Sequence, residues 1–304
     1  MTNEPREIIA VVGATGQQGG GVVQALEAQG RFRVRALTRS PDRYQGAADE
    51  VARADLRDPS SLEAAFAGAH GGFVVTNFWE GGGGKVDEVA QVTAAVQAAK
   101  AAGVQHLVWS SLPNVDEISG GQFHVPHFTD KARANAVVGD AGFAAWTIVE
   151  APFYFQNLTG VMAPRPKGGG TRVWTLPMDP SVRCIHMADI TELGKVVAGA
   201  LVHPDQVGQG QILSLAAGRL SWDDVMATFR AQGHDVAYER VPYEVYASFF
   251  PGAEEMAQML GYFEAHTYMG PDAEAKIARA NAVATGPITD LATWLRANAA
   301  PAGA

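Results

Sequence analysis

The sequence predicts an α/β protein, a doubly wound parallel sheet with a smaller mixed C-terminal lobe. Three observations carry this. Apolar runs of strand length alternate with segments of helical period through the first half. A glycine cluster follows the first run directly. The alternation gives way to shorter, mixed elements after Glu150. Strands alternating with helices of this length form βαβ units, and right-handed crossovers place the helices on both faces of a parallel sheet.

The elements follow in order. Ile8, Ile9, Ala10, Val11 and Val12 form an apolar run of the kind that a buried parallel strand requires. Residues 17–29 carry Val22, Val23 and Leu26 at helical spacing, and Gly30 stops that helix. Phe32, Val34 and Ala36 alternate with Arg33 and Arg35, giving a second strand. Residues 59–67 predict a short helix, 72–76 a strand, and 86–102 an Ala- and Val-rich helix ended by Gly103. Then come a strand at 105–110, a helix at 129–142 and a strand at 146–149. Residues 163–170 read as a Pro/Gly loop and 186–202 as a helix. The expected division is a nucleotide-binding core at 1–157, with 183–215 returning to it, and a C-terminal lobe over most of 158–304. In that lobe Tyr243, Tyr246 and Phe250, and then Met256, Met259, Leu260 and Phe263, recur at helical spacing and read as core.

Composition narrows the function classes. The chain has 304 residues, 47% apolar and 18% charged, which excludes disorder as its dominant state. No apolar stretch approaches the roughly 20 residues of a membrane span, and residues 1–7 lack the apolar segment of a secretory signal. The one cysteine, Cys184, excludes an intrachain disulfide, so a reducing cytoplasm is the expected location. Cys184 itself reads as a small buried side chain. With 23 Lys and Arg against 32 Asp and Glu, the net charge of −9 argues against electrostatically driven nucleic-acid binding. His124, His127 and Asp130 recur at a spacing of three, but Pro126 separates the histidines and no further ligand is evident, so no metal site is expected.

The first chemical signal is Gly13-Ala14-Thr15-Gly16-Gln17-Gln18-Gly19, a G-x-x-G-x-x-G loop between the first strand and its helix. Gly13 permits the tight turn, Gly16 a close approach to a pyrophosphate, and Gly19 close packing of helix on strand. The helix N-terminus supplies free N–H groups and partial positive charge. In that context the loop predicts a Rossmann-type dinucleotide site; its plain alternative is a tight turn. The tip of the second strand chooses the cofactor. It reads Leu37-Thr38-Arg39-Ser40, with no acid to accept a ribose 2′-OH. Arg39, with Arg43 nearby, offers a charged fork to a 2′-phosphate, which favours NADP(H). Asp55 and Leu56 fall where adenine would rest, although Asp55 equally suits a helix cap.

These residues, with the segments 75–80 (Val-Thr-Asn-Phe-Trp-Glu), 127–131 (His-Phe-Thr-Asp-Lys), 152–158 (Pro-Phe-Tyr-Phe-Gln-Asn-Leu), 250–253 and 259–263, resemble the NmrA-like group of atypical short-chain dehydrogenases. The resemblance covers nearly the whole chain. It implies NADP(H) extended over the strand C-termini. Gly13, Thr15, Gly16, Gln17, Gln18 and Gly19 would hold the pyrophosphate and Arg39 the 2′-phosphate. Thr76, Asn77 and Phe78 would lie along the ribose and nicotinamide. Lys131 would reach the nicotinamide ribose, and Pro152, Phe153, Tyr154 and Asn157 would close that end. Typical short-chain dehydrogenases carry Tyr-x-x-x-Lys; here the spacing reads His127 to Lys131, so the lysine is kept and the tyrosine lost. The better-known members of this branch are regarded as cofactor sensors.

The leading expectation is therefore an NADP(H)-binding redox sensor with little or no ordinary dehydrogenase activity, acting on a regulatory protein partner. The alternative is an NADPH-dependent reductase of a small quinone, carbonyl or enone, with Lys131, Tyr154 or His127 handling the proton. For His127 the plain reading is a place on the exposed side of a helix or at its start. Ser110 stands where a dehydrogenase serine would orient a carbonyl, and Trp79 and Glu80 before four glycines suit a mobile lid. A DNA-contacting repressor is the least supported reading.

Overall fold

Alternation within the first strand sets the architecture. In β1 (Ile8–Val12), Ile9 and Val11 belong to one buried cluster, and Ala10 and Val12 to another on the opposite face. A strand apolar on both faces must be central and covered twice. The computed structural model describes residues 6–80 and 86–298. The expectations about an N-terminal signal and a glycine lid fall wholly or partly on 1–5 and 81–85, outside the described residues.

After β1 the chain runs α1 (Gln17–Gln29), β2 (Arg33–Thr38), β3 (Glu50–Arg53), α2 (Pro59–Phe66), β4 (Gly71–Val74), α3 (Glu88–Ala101), β5 (His106–Ser111), α4 (Val115–Ile118), α5 (Pro126–Gly139) and β6 (Ala145–Glu150). Then come β7 (Phe153–Tyr154), α6 (Phe155–Thr159), β8 (Arg165–Gly168), β9 (Thr171–Leu176), β10 (Ile185–Ala188), α7 (Leu193–Val202), α8 (Pro204–Val207) and β11 (Gln209–Ser214). The last elements are β12 (Gly218–Leu220), α9 (Trp222–Ala231), β13 (Val236–Arg240), α10 (Tyr243–Ala247), α11 (Ala253–His266), α12 (Ala273–Val283) and α13 (Leu291–Asn298).

Seven strands form the main sheet in the order β11-β6-β5-β4-β1-β2-β3, and every pair is parallel. The doubly wound expectation is met, and the reversal between β1 and β4 opens a crevice at the strand C-termini, where such sheets bind ligands. α1 and α7 pack together on one face, while α2, α3 and α5 form a layer on the other. The first layer is drawn tight by paired glycines. A Cβ at Gly21 would stand 2.1 Å from the Thr191 carbonyl oxygen, and one at Gly194 2.1 Å from that of Gly21. β11 returns to the sheet edge beside β6, with Leu213 opposite Val149.

Two small sheets complete the C-terminal part, β12-β10-β7 and β13-β9-β8. They correct two sequence expectations. The 163–170 loop contributes β8 of a hairpin with β9; Gly168, Gly169 and Gly170 all take positive φ at its turn, and Pro166 is tolerated on the edge strand. The helix expected at 186–202 begins only at Leu193, because Ile185–Ala188 pairs with β7 and β12 and the Asp189 side chain accepts from the Thr191 N–H, starting the helical turn there. Phe128, Phe263 and Tyr268 pack together where the C-terminal elements meet α5. Of the two stripes, Tyr246, Met259, Leu260 and Phe263 are buried, but Phe250 is 47% exposed. Cys184 is buried, which pushes its thiol pKa up to about 12. Among the described residues no helix is long and apolar enough to cross a membrane.

A buried histidine makes stability depend on pH. Thr147 donates its hydroxyl to the Val207 carbonyl (2.7 Å), so at 2.9 Å it accepts from His106 Nε2–H. Burial, with a smaller contribution from His70, lowers the His106 pKa to about 4. The unfolded chain takes up this proton near 6.5, so stability is complete above that value and declines as pH falls toward 4. At pH 5 the expected loss from this group is about 2 kcal/mol. NMR titration of His106 checks it; an imidazole that protonates near 6.5 in the folded protein contradicts it.

Candidate functional site

The crevice at the reversal point is a cleft of about 340 Å³. Its floor is the loop between β1 and α1. Gly13 turns with φ +69°, and a Cβ at Gly19 would lie 2.2 Å from the Gly13 carbonyl oxygen, so glycine is required at both. Gly16 begins α1 with no side-chain cap. The first N–H groups of a helix have no intrahelical acceptor, and here they open on the cleft. Gly13, Thr15, Gly16, Gln17, Gln18, Gly19, Arg39, Asp55, Leu56, Thr76, Asn77 and Tyr154 all line it, together with Thr38, Val75 and Glu80. Phe78, Lys131, Pro152, Phe153 and Asn157 do not. Pro152 is buried; Phe153 is buried in an edge-on contact with Trp222; Asn157 lies in α6.

At the end of the cleft beside β2, Arg39 does not stand alone. Its Nη1 is bonded to Glu80 Oε1, which also lies 3.4 Å from Arg57 Nη2. The Arg57 N–H donates to Asp55 Oδ1 at 3.0 Å, so Asp55 shapes this loop as well as lining the cleft.

At the other end Thr76 lines the cleft, and Lys131 is bonded to it from the buried side. The Lys131 side chain enters below Thr76 and donates to the Thr76 carbonyl (2.9 Å), Thr76 Oγ1 (2.7 Å) and Glu88 Oε1 (2.6 Å). Thr76 Oγ1 donates to the same Glu88 oxygen at 2.6 Å. An ammonium has three donors, and all three are engaged inside the protein. Burial lowers the Lys131 pKa, and the Glu88 carboxylate opposes that shift. The Glu88 side chain is fully buried.

His127 is neither exposed nor a cap. α5 starts at Pro126, a favoured first position, so His127 lies in the first turn with its side chain only 11% exposed. Its Nδ1 lies 2.5 Å from Glu255 Oε1 of α11, and that oxygen also accepts the His127 backbone N–H at 3.2 Å. Burial raises the Glu255 pKa, but the bonds from His127 outweigh it and hold the carboxyl below its ordinary value. Phe78 and Trp79 pack on the imidazole with ring centroids 5.8 and 5.3 Å away.

Between the two ends runs a hydrogen-bond chain. Ser110 Oγ donates to Gln18 Oε1 (2.6 Å), and Gln18 Nε2 donates to Tyr154 Oη (2.9 Å). Burial raises the Tyr154 phenol pKa, with the Gln18 bond opposing, so it keeps its proton at neutral pH. Sequence reasoning missed the partners Glu80, Glu88 and Glu255, each of which meets its cation or imidazole across a long sequence gap. Among the described residues no group of three or more His, Cys, Asp or Glu is arranged to hold a metal.

The NmrA-like family profile matches residues 5–295. The chain is 30% identical to FrzB, an NmrA-like family domain-containing oxidoreductase of Cladobotryum sp., over 92% of each protein. Its fold matches NmrA, a negative transcriptional regulator, in crystal structures with NAD (TM-score 0.79, 24% identity) and with NADP (TM-score 0.78, 24% identity), each covering 96% of this chain and 95% of NmrA. It also matches the Escherichia coli NADPH-dependent quinone oxidoreductase QOR2 complexed with NADPH (TM-score 0.74, 20% identity, 95% of this chain and 99% of that one). With the family profile spanning nearly every residue and a relative at this identity along its length, the chain belongs to the NmrA-like family.

Proposed function

We propose that this protein binds NADP(H) in the cleft and acts as a regulator that reports the redox state of that cofactor, with little or no ordinary dehydrogenase turnover. The uncapped start of α1 and the Gly13–Gly19 loop suit the pyrophosphate, Arg39 the 2′-phosphate, and Asp55 and Leu56 the adenine. Thr76, Asn77 and Tyr154 flank the nicotinamide end. NmrA and QOR2, which share the fold, carry such dinucleotides in their crystal structures.

The observation that carries the regulatory reading is the enclosure of Lys131. A lysine whose three donors are engaged by Thr76 and Glu88 is poorly placed to tune a proton donor, and the position four residues before it holds His127. The bound cofactor would supply hydride chemistry. The chain's own residues would bind and orient it, and the 76–80 and 152–158 segments would respond. A ligand shifts a conformational equilibrium only through differential affinity, so a regulatory protein partner would read the form of the protein that the cofactor favours.

A second reading, reduction of a small quinone, carbonyl or enone, rests on the Ser110–Gln18–Tyr154 chain. It presents a protonated phenol on the cleft wall, which would donate a proton to the substrate, while a bound cofactor would supply the hydride. The oxidoreductase name of FrzB agrees with it.

Titration with NADPH, NADP⁺ and NAD⁺, hydrogen exchange over the two segments, and an NADPH-oxidation screen with quinones and enones separate the two readings. The regulatory reading expects dinucleotide binding, altered exchange and no efficient turnover. Efficient oxidation of NADPH by a small acceptor, with exchange unchanged, overturns it in favour of the reductase.

A further inference from the structure

The geometry points to Glu80 as a built-in competitor for the 2′-phosphate, and so as a determinant of selectivity between NADP(H) and NAD(H). This rests on the proposed binding of a dinucleotide in the cleft.

The ion pair spans the cleft. Arg39 follows β2 and Glu80 follows β4, and β1 lies between these strands in the sheet. The Arg39–Glu80 contact therefore crosses above the end of β1, over the Gly13–Gly19 loop, and both side chains line the cleft. Glu80 is held from its own side. Its N–H donates to the Asn77 carbonyl at 3.1 Å, and Asn77 Oδ1 accepts from the Trp79 N–H at 3.1 Å, closing a compact turn after β4. The Glu80 side chain is only 23% exposed, whereas those of Arg39 and Arg57 are 58% and 62% exposed.

Charge balance gives the pair its consequence. Arg39 and Arg57 contribute two positive charges, and Glu80 and Asp55 two negative ones, within one connected group. A 2′-phosphate brings close to two negative charges and is drawn to the guanidinium whose Nη1 Glu80 already holds. NADP(H) therefore competes with Glu80 for Arg39, and the weakened pair subtracts from its affinity. A dinucleotide with a free 2′-hydroxyl makes no such demand, so Arg39 keeps Glu80 while NAD(H) binds. Glu80 thus narrows the preference that Arg39 creates and brings the two affinities closer together.

The test is Glu80→Gln in the full-length protein, titrated with NADP⁺, NAD⁺ and adenosine 2′,5′-bisphosphate, a probe without the nicotinamide end. The expected result is an increase of about threefold to tenfold in affinity for NADP⁺ and for the bisphosphate, the scale of an exposed to half-buried ion pair, with NAD⁺ changed less than about twofold. In an Arg39→Ala background the same substitution should have no effect, since the competition needs the guanidinium. Equal changes for NADP⁺ and NAD⁺, weaker NADP⁺ binding, or an effect that survives Arg39→Ala each overturn the proposal. Glu80→Ser provides a second variant should Glu80→Gln fold poorly. Wild-type protein that binds neither dinucleotide refutes the underlying reading instead, whereas dinucleotide binding with unaltered selectivity in both variants refutes only the role of Glu80.

Discussion

Replacing Glu88 with alanine is expected to lower the unfolding free energy by about 3–5 kcal/mol, the usual result of removing one partner from a buried ion pair. Lys131 Nζ lies 2.6 Å from Glu88 Oε1, packs 5.7 Å from the Trp109 ring centroid, and has only 11% of its side chain exposed. Without Glu88 the ammonium keeps only the two oxygens of Thr76, neither of them charged. Glu88→Gln should cost less, because an amide oxygen still accepts the hydrogen bond. The double variant Glu88→Leu with Lys131→Met should recover most of the loss, since both desolvation penalties vanish together. Urea unfolding at pH 7 measures all three. A loss below about 1 kcal/mol for Glu88→Ala would mean that Lys131 is neutral in the folded protein, the direction in which burial already drives it. That result would also weaken the regulatory reading, because a neutral amine can accept a proton.

The legible and illegible parts of this site differ in the range of the interactions that make them. β1, its glycine loop and the start of α1 are continuous in sequence, so the run from Ile8 to Gly19 announces both the strand and the anion-binding helix end. Arg39, Asp55, Thr76 and Asn77 share a simpler property: each follows a strand of a parallel sheet, and the C-terminal edge of such a sheet is where a cleft forms. Lys131 and His127 are different. Lys131 falls within the helix expected at 129–142 while His127 precedes it by two residues, and their environments are set by Glu88 in α3 and Glu255 in α11; no local pattern pairs an acid with a group 43 or 128 residues away. The small sheets fail for the same reason. β9 pairs with β13 through Val173 and Ala237, so this second partner of residues 171–176, besides β8, lies beyond three helices and three strands. Gly168-Gly169-Gly170 looks like loop composition because the glycines form the turn, while the edge strand before it carries a proline. The helix expected at 186–202 shows that an apolar run of this length permits either element until Asp189 is recognised as a cap.

Arg39→Ala is expected to reduce the preference for NADP(H) over NAD(H) by about tenfold to 150-fold, the range of a charge-assisted hydrogen bond at about 1.5–3 kcal/mol. The side chain is 58% exposed, so the effect should be largest at low ionic strength and shrink as salt screens the phosphate contact. NAD(H) affinity should hardly move, because no 2′-phosphate is present to lose its partner. Isothermal titration of both cofactors at two salt concentrations reads the selectivity and its screening together. The structure adds a condition to the outcome. Arg39 now neutralises Glu80, and removing it leaves that carboxylate at the cleft with only Arg57 nearby, 3.4 Å away. Glu80 then keeps Arg57 as its partner, so the NADP(H) loss is that of the guanidinium–phosphate contact alone. Pairing Arg39→Ala with Glu80→Gln should leave NADP(H) affinity where Arg39→Ala alone leaves it, because the competition needs the guanidinium. Equal weakening of NADP(H) and NAD(H) by Arg39→Ala would show that the residue supports the loop rather than the 2′-phosphate, and would remove the charge argument for NADP(H) as the preferred ligand.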